Sequence, residues 1–144
     1  MYATVSDMIA RFGETQMIRL SRPEDRTAET IDEVKVGTAL TDASARIDGY
    51  LRARYLVPIA APPVEIVRAA CILARYDLAQ GEHTDPSEEM AKGVTDVISW
   101  LEKIARETVH LDIPAAETSG AAVGSGPAMS DRCRIFSTDG LRGF

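Results

Sequence analysis

The sequence predicts an all-α protein, a small helical bundle with a long central helix and an extended C-terminal tail. Three observations favour this fold class. Apolar residues recur at spacings of three and four along most of the first 107 residues. Capping residues and prolines separate these periodic stretches. After residue 113 the periodicity stops, and Ala, Gly, Ser, Thr and Pro dominate the composition.

Two short helices are predicted at the N-terminus. Thr4 is the expected N-cap of the first, with Asp7 in the first turn, where a negative charge is favourable. Apolar residues at helical spacing continue to Phe12, and Gly13 suits the position after a helix. The second short helix is predicted over residues 14–20, before a loop that contains Pro23.

Three longer helices are predicted at about residues 28–55, 63–79 and 86–107. In the first, Gly37 is a weak point where the helix can break or bend. Its apolar stripe is Ile31, Val34, Leu40, Ala43, Ile47, Tyr50, Leu51 and Tyr55. That of the second is Val64, Val67, Ala70, Cys71, Ala74 and Leu78, widened by Ile66 and Leu73. That of the third is Met90, Val94, Val97, Ile98, Leu101, Ile104 and Ala105.

Prolines and capping residues set the expected limits of the last two helices. The proline-rich residues 57–63 form an extended connector, and Pro62 or Pro63 is expected to begin the second long helix. For the third, Asp85 is the predicted N-cap, Pro86 the first helical residue and Glu88 the partner in a capping box.

These patterns divide the chain into three segments. Residues 1–113 form the helical body, residues 114–129 a flexible Gly/Ser/Ala/Pro tether, and residues 130–144 a C-terminal docking segment. The docking prediction depends on seven apolar and basic residues: Arg132, Arg134, Ile135, Phe136, Leu141, Arg142 and Phe144. Burying such side chains against a partner can offset the entropy lost when the segment becomes ordered.

The charge distribution limits the kinds of partner. The formal net charge of −6 belongs to the body, because the tail carries three acidic and three basic residues. Tight binding to phosphates requires clustered Lys and Arg, so free nucleic acid is not the expected main ligand. No apolar run approaches the ~20 residues needed to cross a bilayer, so no membrane partner is expected. Two cysteines do not make a disulfide scaffold, which suits an intracellular protein.

The sequence offers no catalytic or cofactor-binding pattern, and we expect neither an enzyme nor a cofactor. It contains no G-x-S-x-G, P-loop or C-x-x-C motif. His83 and His110 are too isolated to predict a metal site, and a solvated loop and a helix end are the simpler interpretations. Five charged residues near the proline-rich turn are candidates for ion pairs, between subunits or within the chain: Asp42, Arg46, Asp48, Arg52 and Arg54.

Several stretches resemble a family of structural proteins from Mu-like phages and prophages. The opening residues 1–13 carry the resemblance, as do residues 39–51 with the Arg54-Tyr55 pair and Pro58 after them. Residues 71–78 and the ending, residues 134–144, are also similar. The resemblance covers nearly the full chain, and residues 39–51 are its most specific part.

That family is similar to the head–tail adaptors of long-tailed phages, and the resemblance implies a connector without catalytic activity. It implies a ring of identical subunits, twelvefold to match the portal, between the portal and a stopper or tail-terminator protein. DNA would only pass through the ring, and an acidic lumen would keep it from sticking. The expected location is the virion neck, and the host cytoplasm during assembly. The alternative is a DNA-packaging factor such as a small terminase subunit.

Overall fold

The computed structural model describes residues 1–80 and 85–113, and within them it contains five α-helices. These are α1 Val5–Phe12, α2 Glu14–Ser21, α3 Glu33–Leu51, α4 Val64–Ala79 and α5 Glu88–Ala105. The prediction of an all-α bundle is confirmed. The predicted tether and docking segment, residues 114–144, lie outside the described residues, as does His83.

The start of α1 agrees with the sequence prediction. The Thr4 hydroxyl accepts a hydrogen bond from the Asp7 amide at 3.2 Å, and the Asp7 carboxylate accepts one from the Thr4 amide at 2.8 Å. This reciprocal capping box satisfies two amides that would otherwise lack partners. Gly13 follows at a φ of 85°, a positive value that favours glycine, and it lets α2 begin at once.

Helix α3 is shorter than predicted at both ends. The Asp32 carboxylate caps it by accepting hydrogen bonds from the amides of Val34 and Lys35, so the helix begins at Glu33 rather than near residue 28. It ends at Leu51, before Tyr55, but continues through Gly37 without a break. Val34 was predicted to be buried, yet it is 81% exposed, and Val36 is buried instead.

Helix α4 is the central helix, and it packs against all four others. Its buried residues are Ile66, Ala69, Ala70, Cys71, Leu73, Ala74, Leu78 and Ala79. The four alanines let neighbouring helices approach closely, and the larger side chains fill the spaces between them. Pro63 is the N-cap rather than the first helical residue, and Val64, predicted to be buried, is 71% exposed.

Helix α5 starts later than predicted, because Ser87 rather than Asp85 caps it. The Ser87 hydroxyl accepts a hydrogen bond from the Met90 amide at 3.3 Å. The helix ends at Ala105, and a turn follows in which Glu107 takes a positive φ of 66°. The predicted apolar stripe is otherwise confirmed, since Val94, Val97, Leu101 and Ile104 are buried.

Tyr2 joins the N-terminus to two other parts of the body. Its amide donates a hydrogen bond to the Ser44 hydroxyl at 3.0 Å, and its own hydroxyl donates to the Asp48 carboxylate. The same hydroxyl accepts a hydrogen bond from the Ile59 amide at 3.1 Å. Burial, followed by the hydrogen bond to Asp48, raises the pKa of Tyr2 to about 12, so the hydroxyl remains a donor at neutral pH.

We expect Tyr2→Phe to destabilise the fold by about 1–3 kcal/mol, because it leaves the Ile59 amide and the Asp48 carboxylate without this partner. Urea unfolding followed by circular dichroism measures the change. Tyr50→Phe is the matched control, since the Tyr50 hydroxyl forms no hydrogen bond with another described residue. Equal stability of the two variants would contradict the assigned role of Tyr2.

Candidate functional site

The most distinctive surface feature of the described residues is a groove between α4 and α5, closed at one end by α1. On α4, Glu65, Arg68, Ile72 and Arg75 line it at spacings of three and four, which places them on one face. The α5 side is lined by Glu89, Met90, Gly93, Asp96, Val97 and Trp100. We call this surface the α4/α5 groove.

One half of the groove is rich in arginine. Arg11, Arg68 and Arg75 line a recess of about 390 Å³ together with Phe12 and Met90. None of the three arginines forms an ion pair with a described residue. The three guanidinium groups outnumber the single carboxylate that lines the recess, Glu89, and they favour an anionic ligand group such as a carboxylate.

Arg75 is held in place from two sides. Its guanidinium lies over the Phe12 ring at 4.5 Å from the ring centre. With the Gln16 amide oriented to satisfy both of its partners, Gln16 accepts a hydrogen bond from Arg75 at 2.8 Å and donates one to the Phe12 carbonyl. The Arg75 Nε atom is buried and has no hydrogen-bond partner among the described residues. Arg75 is therefore preorganised, but its hydrogen-bonding capacity is incompletely used.

The other half of the groove is apolar with an acidic rim. It encloses about 320 Å³ between Ala69, Ile72, Val97 and Trp100. Glu65 and Asp96, both exposed, stand on opposite sides of it. This half is continuous with the arginine-rich half, because Arg68, Ile72 and Gly93 line both. A Cβ atom at position 93 would make only an ordinary van der Waals contact with the Ile72 side chain, at 3.5 Å.

The five charged residues predicted to form ion pairs occupy different environments. Asp48 accepts the Tyr2 hydrogen bond described above. Arg54 forms an intramolecular pair with Glu107 at 3.3 Å and donates to the Ile104 carbonyl at the same distance, which anchors residues 104–107 to the end of α3. Asp42, Arg46 and Arg52 are exposed and form no ion pair within the described residues. A role of these three between subunits stays a prediction.

Asp42 and Arg46 lie close to a third charged group, Asp77 on α4. Burial raises the pKa of Asp77, Arg46 opposes the shift and Asp42 adds to it. Asp77 is half-buried and accepts no side-chain hydrogen bond from a described residue, so its charge is poorly compensated. This cluster lies on the α3/α4 side of the body, away from the α4/α5 groove.

A second basic recess lies after α2. The recess is about 570 Å³ and contains Arg19, Arg22 and Arg26, all exposed at the surface.

In residues 1–80 and 85–113, no cluster of three or more His, Cys, Asp or Glu side chains is placed to hold a metal ion. No helix there has the length and apolar character of a membrane span.

Comparison with known proteins identifies the family of this chain. A sequence model of the family described as "Bacteriophage Mu, Gp36" matches residues 2–128, most of the chain. The chain belongs to the bacteriophage Mu Gp36 family. Similar proteins include "Gene product J" of Escherichia phage Mu, 37% identical over 103 residues, which are 72% of this chain and 70% of that protein. The "Mu-like prophage FluMu protein gp36" of Haemophilus influenzae is 34% identical over 114 residues, 78% and 77% of the two chains.

The match to the Gp36 family includes every residue that lines the α4/α5 groove. It ends at residue 128, before the docking segment predicted from the sequence. The seven residues of that prediction, Arg132 to Phe144, therefore lie outside both the family match and the described structure. Their docking role remains a prediction.

Sequence reasoning about this Gp36-family chain did not identify the α4/α5 groove. Neither Arg68 nor Trp100 was among the site residues that the sequence patterns predicted. A signal was present, because Arg68 and Arg75 lie seven residues apart, which places both on one face of α4 with the apolar Ile72 between them. The contribution of Arg11 and Phe12 depends on how α1 packs on α4, which local sequence patterns do not specify.

We expect Asp77→Asn to stabilise the protein at neutral pH. The folded-state pKa of Asp77 is raised, so its charged form is disfavoured in the folded protein and stability falls as pH rises through that pKa. Removing the charge should therefore raise the melting temperature at pH 7. The difference should shrink below about pH 4, where an unperturbed aspartate becomes protonated.

Thermal unfolding at several pH values measures the Asp77 effect. Asp42→Asn is the matched control, because Asp42 is exposed and lies in the same cluster. A lower melting temperature of Asp77→Asn at pH 7, or the same gain at every pH, would show that burial does not disfavour the Asp77 charge.

Proposed function

We propose that this protein is a head–tail connector subunit of a Mu-like phage, which forms a ring under the portal and joins the capsid to the tail. The observation that carries the proposal is the match to the bacteriophage Mu Gp36 family over residues 2–128. The family of Mu-like structural proteins that residues 1–13 and 39–51 resemble is similar to the head–tail adaptors of long-tailed phages. Those adaptors are also small and helical.

A ring requires two different, complementary surfaces on each subunit. The body offers surfaces of different character. One is the α4/α5 groove, with its arginines and Trp100. Two further apolar side chains are exposed: Leu56, 64% exposed, in the α3–α4 connection, and Val64, 71% exposed, at the start of α4. A neighbouring subunit can cover exposed apolar side chains of this kind on assembly.

The charge of the body suits a passage for DNA. Residues 1–113 carry the whole formal charge of −6, so phosphates would be repelled rather than retained by most of the surface. We infer a structural rather than a catalytic role, with DNA passing the subunit during packaging and ejection. The portal above the ring and a stopper or tail terminator below it are the proposed partners.

Inactivating the gene in a phage or prophage that encodes this protein should separate head and tail assembly. The expected result is DNA-filled heads and complete tails that accumulate without joining, seen by negative-stain electron microscopy of the lysate. Wild-type protein supplied from a plasmid should restore joined particles. Joined particles without the protein would contradict the proposal, and empty heads would instead favour a packaging role such as that of a small terminase subunit.

The purified protein should not bind duplex DNA tightly at physiological salt. A small terminase subunit would be expected to bind it, with an affinity that falls steeply as the salt concentration rises. A gel-shift titration at two salt concentrations, with a known DNA-binding domain as positive control, distinguishes the two roles. Tight and salt-sensitive binding would argue against an acidic, non-adhesive lumen.

A further inference from the structure

The two ends of the α4/α5 groove carry different charged groups. Helices α4 and α5 run antiparallel, because Glu65 lies across the groove from Trp100 and Arg75 from Glu89. One end therefore has the acidic groups Glu65 and Asp96, with apolar side chains beside them, and the far end has Arg11 and Arg75 together with the exposed Glu89. Arg68 lies between the two ends and lines both halves. From Glu65 to Arg75 the groove is about 15 Å long, at ~1.5 Å per helical residue.

The end of the described chain lies at the acidic end of this groove. The Leu111 amide donates a hydrogen bond to the Tyr55 hydroxyl at 3.0 Å, and Arg54 holds Glu107 beside the end of α3. The start of α4, with Glu65, follows that same end through the connection of residues 52–63. The described residues thus stop at Ile113, on the side of the bundle where the groove begins.

The remaining chain contains a segment whose charge order matches the groove. In residues 132–139, two arginines come first, then Ile135 and Phe136, then Asp139. From Arg134 to Asp139 an extended chain spans about 17 Å at ~3.3 Å per residue, close to the length of the groove. Residues 114–129, which precede this segment, are long enough to reach the groove, since an extended chain of that length spans about 50 Å.

We propose that residues 132–139 dock into the α4/α5 groove of their own chain. Arg132 and Arg134 lie against Glu65 and Asp96, and Ile135 and Phe136 cover the apolar side chains beside Trp100. The Asp139 carboxylate then lies among Arg11, Arg68 and Arg75, which lack a carboxylate partner in the described body.

Attachment to the same chain favours this contact, because the connecting residues keep the segment at a high effective concentration near the groove. The contact belongs to the free subunit. During assembly the same segment can exchange from the groove to a neighbouring subunit or the portal, the partners expected from the sequence. The proposal does not depend on the connector function, since it is tested on the purified full-length protein.

Trp100 is the only tryptophan of the chain and lines the groove, so its fluorescence reports occupancy directly. In the full-length protein, the double substitution Ile135→Ser and Phe136→Ser should shift Trp100 emission to the red and increase its quenching by acrylamide. Val123→Ser is the matched control, because it removes an apolar side chain from residues 114–129 and should change neither quantity. Circular dichroism should show the same helical content in all of these proteins.

The charge order is tested by reversal and restoration. Asp139→Arg alone, and Arg11→Asp alone, should each lower the docking equilibrium constant by about 2- to 5-fold, as expected for an exposed ion pair. Combining the two substitutions should restore the wild-type quenching. Additive losses in the double variant would overturn the assigned pairing of Asp139 with the arginine-rich end.

Photocrosslinking identifies the surface and the chain. Benzoylphenylalanine at position 136 should crosslink to residues of α4 and α5 that line the groove, as identified by mass spectrometry. In a mixture of ¹⁴N- and ¹⁵N-labelled protein, the crosslinked peptides should carry a single isotope label. Crosslinks to another surface, mixed-label crosslinks, or Trp100 quenching that is unchanged by Ile135→Ser and Phe136→Ser would each overturn the proposal.

Discussion

The whole fold depends on the burial of α4. Eight of its residues are removed from water, and all four other helices take part in covering them. Small residues such as Ala70 and Ala74 let these helices approach, and a tightly packed interior of this kind has little tolerance for changes in volume. The face of α4 that contains Arg68 and Arg75 is the part where this coverage is incomplete. The α4/α5 groove is thus a direct consequence of how the central helix is packed.

Polar contacts attach the rest of the chain to this packed centre. Tyr2 connects the N-terminus with α3 and with the loop before α4, and Arg54 holds the turn after α5 through Glu107. The burial of apolar surface does not by itself fix the orientation of the chain. Hydrogen bonds of this kind therefore select one arrangement of the chain's N-terminus and of the turn after α5, among several that would bury similar apolar area. The contacts of Arg54 and Tyr55 therefore also hold the residues after α5 at the acidic end of the groove.

Local sequence patterns predicted the helices well and their ends less well. The Thr4 N-cap and the apolar stripe of α5 were identified correctly, because both are properties of neighbouring residues. Ser87 rather than Asp85 caps α5, since serine and aspartate are both preferred N-cap residues and the sequence alone does not decide between them. The exposure of Val34 and the partners of Tyr2 depend on contacts distant in sequence, which periodicity does not contain. The groove was missed for the same reason, because three helices contribute to it.

We propose that this Gp36-family protein forms a ring in the neck of the particle, and cryo-electron microscopy of virions from a phage that encodes it can show whether it does. We expect a ring of copies of this helical body immediately below the portal, each identifiable by its helices and by α4 at its centre. Absence of the protein from the virion, or its presence only in the capsid shell or the tail tube, would rule out the proposed connector ring.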